Sequence, residues 1–214
     1  MKKKILLTVT GLLIVIMLTS CLDAIEYITL DKQGNIKLSF MITISKSLFE
    51  MGGEGESVEE TFEDEIMDPE EISELIPGAT NIEARLVDSD IDYGYLFTFT
   101  LPRNYQPTPE TPMAPRLTKR GMEILLAMSN SEEAQKEESD ESMDDMAAAI
   151  FSSAKYKVQI SKQLLKSASR AYIYTADGEE TSVDLVDLGD NYLVNLPMLM
   201  IMMDEEESRL VFEY

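Results

Sequence analysis

Alternation of apolar and polar side chains is clearest near the start of the chain and again in its last third. Residues 25–47 read IEYITLDKQGNIKLSFMITISKS. Two runs of strand-forming residues flank DKQGN, a glycine-containing polar loop, so the stretch predicts a β-hairpin. Ile36, Leu38, Phe40 and Ile42 fall on one face of its second arm, and Lys37, Ser39, Met41 and Thr43 on the other. NIEARLVDSD and IDYGYLFTFTLP predict a second β-pair. Further on, AKYKVQISKQ, RAYIYTA, TSVDLVDL, YLVNLPMLMIMM and SRLVFEY read as successive strands. ADGEE and GDN mark turns between them, and the pattern predicts a C-terminal β-meander.

Two stretches carry helix signals instead. In DPEEISELIPG, Asp68 is placed as the N-cap, Pro69 at the first helical position, and Glu70 and Glu71 in the first turn; Pro77 and Gly78 stop the helix. GMEILLAM, within residues 117–130, reads as a second. Residues 102–116 hold five of the eight prolines, and SEEAQKEESDESMDD carries eight acids against one base. Such a composition buries too little apolar surface to offset chain entropy, so a mobile segment is expected at about 102–146. The expected fold class is α+β, with antiparallel hairpins and the meander packed with one or two short helices, in a single domain over residues 21–214.

The N-terminus has its own pattern. Lys2, Lys3 and Lys4 precede an apolar run of 14 residues, Ile5 to Leu18, and then Thr19, Ser20 and Cys21. That run is shorter than the roughly 20 residues a bilayer-spanning helix needs. The order basic, apolar, small, cysteine resembles a bacterial lipoprotein signal, and LTSC resembles its lipobox. The resemblance implies a signal peptide over residues 1–20, cleavage before Cys21, a diacylglycerol on the Cys21 sulfur and an acylated new amine. One acyl chain anchors marginally, whereas two or three hold firmly. The implied location is exported and extracytoplasmic, on the cell membrane or outer membrane. EYITLDKQGNIKLSFMITISKSL after Cys21, with the later YKVQISKQLLKSA, is similar to LppM-type and spirochaetal extracytoplasmic lipoproteins. That likeness implies a small α+β domain and transfers no functional residues.

Composition narrows the function. The chain has 214 residues and a net charge of −22, with no histidine, no tryptophan and one cysteine. With no basic patch to neutralise phosphates, nucleic acid is not an expected partner. The commonest general base and zinc ligand is missing, and no intramolecular disulfide can form. Cleavage before Cys21 leaves 15 bases against 40 acids. Such a body is repelled by an anionic membrane, so the lipid does the anchoring.

The remaining candidates each have a plainer reading. Asp88, Asp90 and Asp92 alternate as calcium-loop oxygens do, but Tyr93 and Phe99 stand where an EF-hand needs glycine and glutamate; a solvated turn is the plainer reading. Ser152 and Lys155 match Ser-x-x-Lys without its companion motifs. Among 40 acids, carboxylate pairs arise without a cleft to hold them. Met198, Met200, Met202 and Met203 could bind copper(I), line an apolar cavity, or fill a buried strand, the plainest of the three. ITISKSLFE at 42–50 echoes VQISKQLLK at 158–166; related halves or two strands ending alike both account for it, and the second is the simpler. The resulting expectation is a non-enzymatic structural or binding module, without cofactor or metal, attached to the membrane through Cys21. The alternative is a lipid- or glycolipid-binding protein with Met198, Met200 and Met202 as contacts. An envelope hydrolase is a distant third.

Overall fold

A computed structural model describes residues 22–47, 73–74, 76–108, 111, 113–126, 153–175, 177–202 and 208–214. Among the described residues twelve strands form two sheets. They are β1 (Leu22–Leu30), β2 (Ile36–Ser45), β3 (Thr80–Asp88), β4 (Asp92–Leu101), β5 (Pro115–Leu117), β6 (Gly121–Leu125), β7 (Lys155–Ser161), β8 (Arg170–Tyr174), β9 (Glu180–Val183), β10 (Val186–Asp187), β11 (Asn191–Pro197) and β12 (Arg209–Glu213). A five-residue helix, α1 (Met198–Met202), follows β11. The larger sheet runs β10-β11-β7-β1-β2-β4-β3 and the smaller β5-β6-β12-β8-β9.

Period-two burial explains the layering. Leu22, Ala24 and Ile28 of β1, Tyr156, Val158 and Ile160 of β7, and Tyr192, Val194 and Leu196 of β11 are all buried. So are Met122 and Ile124 of β6, Ala171 and Ile173 of β8, and Leu210 and Phe212 of β12. These residues of both sheets form one cluster, so the sheets face each other across a shared core. Each fully buried aliphatic or aromatic side chain there contributes about 1.5–3 kcal/mol of transfer free energy.

The first hairpin is β1–β2. Ile36, Leu38, Phe40 and Ile42 stand opposite Leu30, Ile28, Glu26 and Ala24, on the core side. Its turn is held by Asp31, whose Oδ1 accepts N–H bonds from Gln33 and Asn35, both at 2.8 Å. The second pair is β3–β4.

The expected α+β class is corrected to all-β. The longest helical stretch among the described residues is α1, which sends Met198 and Ile201 into the core but is too short to form a layer. The GMEILLAM helix is replaced by β6, bonded between β5 and β12. Met122 and Ile124 face the core on either side of Glu123, but Leu125 and Leu126 are then both buried, so the period-two signal is too short to read. Most of DPEEISELIPG lies outside the described residues; Ser73 and Glu74 are helical, and the chain bends at 76–78. The C-terminal strands form, but not as a meander: β7, β10 and β11 join the larger sheet, and β8, β9 and β12 the smaller. Pro197 ends β11, and the methionine run continues as α1 rather than as strand. Strands β5 and β6 also fall inside the stretch expected to be mobile, whose residues 127–146 lie outside the described part.

The ISK echo is a repeated corner. Lys46 N–H, just past β2, donates to Ile91 O at 2.8 Å, and its Nζ meets Asp88 at 2.5 Å. Lys162 N–H, just past β7, donates to Asp190 O at 2.9 Å, and its Nζ meets Asp187 at 2.6 Å. Ile44 stands opposite Tyr93, as Ile160 stands opposite Tyr192. The strands β2-β4-β3 and β7-β11-β10 thus leave β1 in opposite directions, and β2 runs antiparallel to β1 where β7 runs parallel. A half-turn about an axis through β1, normal to the sheet, exchanges them. The shared contacts favour related halves over a coincidence of strand ends.

Gly121 marks where the smaller sheet tolerates no side chain. Its φ is +154°, and a Cβ there would lie 1.8 Å from the Phe212 carbonyl oxygen. Gly121→Ala is expected to cost more than about 3 kcal/mol in urea unfolding. Gly34→Ala, at φ +85° in an open turn, is expected to cost only about 1 kcal/mol. Equal costs at the two positions would refute the close approach of β6 to β12.

Candidate functional site

The most unusual chemistry in the described residues lies inside the core. Glu26 continues the Leu22, Ala24, Ile28 face of β1 and is 1% exposed. Strand β7 runs beside β1 with Tyr156 opposite Ala24, one core-facing position away. The Tyr156 hydroxyl, also buried, donates to Glu26 Oε2. Glu26 Oε1 has no hydrogen-bond partner among the described residues.

Burial governs the protonation of this pair. Desolvation pushes the Glu26 carboxyl up to about 8, against the lowering effect of the Tyr156 hydrogen bond. Desolvation, the charge of Glu26 and the hydrogen bond to it hold the Tyr156 phenol well above its usual range. Burial thus favours the protonated, uncharged form of both groups at neutral pH. The pair is a polar tie between β1 and β7, and an unmatched buried oxygen costs about 1–3 kcal/mol.

Neither residue was singled out by sequence reasoning. The signal was available for Glu26, since it occupies every second position with Leu22, Ala24 and Ile28. Nothing local marks Tyr156 as its partner, because β1 and β7 are paired only by the fold.

The residues that the sequence did single out are dispersed. Cys21 lies outside the described residues, directly before β1. Met198 is buried in the core, Met200 is exposed, and the Met202 side chain lies outside the described part, as does Met203. Asp88 is occupied by Lys46, and the Asp92 carbonyl closes the turn by accepting from Ser89 N–H and Oγ–H. Among the described residues, no three of His, Cys, Asp or Glu converge as metal ligands. Ser152 lies outside the described residues, and Lys155 is the exposed first residue of β7. No described helix is long and apolar enough to cross a membrane.

Charge is unevenly distributed. The described residues hold 16 acids against 14 bases. Segments 48–72, 127–152 and 203–207 hold 23 acids and one base, Lys136. The first follows the end of β2, the second precedes β7 and the third follows α1, beyond the end of β11. Strand register puts those three strand ends beside the start of β1, at one end of the larger sheet.

No protein-family model matches the chain, and neither a curated protein nor a solved structure is detectably similar to it.

The Glu26 carboxyl makes stability depend on pH with a definite sign. In the unfolded chain it loses its proton near the ordinary carboxylate value of 4.5, and in the folded chain only at about 8. The stabilising effect of the retained proton is complete below the lower value and is lost as pH rises to the upper one, at up to about 1.4 kcal/mol per pH unit. Urea midpoints of the wild type are expected to fall from pH 5 to pH 8 by more than those of Glu26→Gln. Parallel pH profiles for the two proteins would show that Glu26 ionises normally.

Proposed function

We propose that the protein is a lipid-anchored lipoprotein of the cell envelope, acting as a non-enzymatic structural or binding module. The observation that carries this reading is the junction at residues 21 and 22. The LTSC cysteine stands immediately before β1, the central strand of the larger sheet. Cleavage before Cys21 removes the basic and apolar leader and leaves the sandwich intact, because β1 starts one residue later.

The lipid- or glycolipid-carrier alternative requires the methionine cluster to line one apolar wall. Met198 turns into the core while Met200 is 44% exposed, so these two do not share a wall.

Cys21→Ser is expected to abolish incorporation of labelled palmitate and to leave a chain retaining residues 1–20, read by intact mass. Normal processing and labelling of the variant would overturn the anchor. Native mass spectrometry of the chain from residue 22 onward is expected to show a bare polypeptide mass. A retained lipid would restore the carrier reading.

A further inference from the structure

The end of the larger sheet that receives Cys21 carries more than a chain terminus. Register sets Pro197, Lys155, Asp23, Thr43 and Gly94 in one row across β11, β7, β1, β2 and β4. Just beyond this row lie the β3–β4 turn and α1. Ile91, in that turn, is 69% exposed, and Met200 of α1 is 44% exposed. The opposite end of the sheet carries the β10–β11 turn, with Leu188 at 50%.

We propose that this end is a membrane-docking surface, on which the sandwich stands upright with Ile91 and Met200 in the headgroup region of a bilayer. The proposal rests on acylation of Cys21, argued above. Its main support is the absence of slack. One residue spans about 3.3–3.6 Å, and β1 begins at the residue after the acylated cysteine. A sheet tied that closely by its central strand cannot leave the surface or lie far from it. The strand ends nearest the anchor must then meet the lipid, and two of the large apolar side chains they present are already in contact with solvent. Transferring such side chains into the interface is favourable, as it is for interfacial helices.

Site-specific quenching tests this on the acylated full chain. Ile91→Cys, Met200→Cys and Leu188→Cys would each carry a fluorophore, in phosphatidylcholine vesicles containing a nitroxide-labelled lipid. Quenching at positions 91 and 200 is expected to exceed that at 188 at least threefold. Equal quenching at the three positions, with Cys21 acylated by mass, overturns the docking alone. An unmodified Cys21 overturns the anchor and the docking together.

Discussion

Backbone hydrogen bonding along both edges of β1 ties residues 22–30 to two partners far apart in the chain. On one side β2 returns through a five-residue turn, and on the other β7 arrives in parallel from residue 155. Parallel pairing cannot be made by a tight turn, so this contact closes a loop of more than 120 residues. The two outer units of the larger sheet hang on these two edges, and the smaller sheet closes over the core face that they create. Glu26 and Tyr156 sit on the costly non-local side of this arrangement, where a specific polar bond distinguishes the correct neighbour from another apolar strand.

How much was legible follows from the range of each interaction. The β1–β2 and β3–β4 hairpins were readable because alternation, turn residues and partner all lie within a short stretch. The last strands were readable as strands and misread in pairing, since β8 and β12 are brought together by sheet closure rather than by a turn. Strand β6 was read as a helix because its alternation lasts only from Met122 to Ile124, after which Leu125 and Leu126 are both buried and blur the period that separates a strand from a helix. The repeated Ile-Ser-Lys was visible, whereas the aspartates that answer each lysine, Asp88 and Asp187, were not. They sit on strands that become neighbours only in the sheet. Glu26 was overlooked for the opposite reason: its phase was plain, but a carboxylate is expected to face water.

The net charge of −22 led to a picture of an acidic body. The described residues are nearly balanced, and several of their bases are used locally. Arg116 and Arg209 meet Glu123, Arg170 bridges Glu180 and Glu213, and Lys157 meets Asp23. A sandwich of this kind has no large field of its own. The excess of acids over bases falls in segments 48–72, 127–152 and 203–207 of the sequence.

The placement of β1 also bears on the order of events during synthesis. Chains emerge N-terminus first, at about 5–20 residues per second. The hairpin β1–β2 is therefore complete early, yet the edge of β1 that will meet β7 stays open until residue 161 has followed. For that interval of several seconds, the strand that becomes the most interior of the larger sheet is one of its boundaries. It presents unpaired N–H and C=O groups to any extended chain nearby. A domain built around its first strand is the last to have that strand protected.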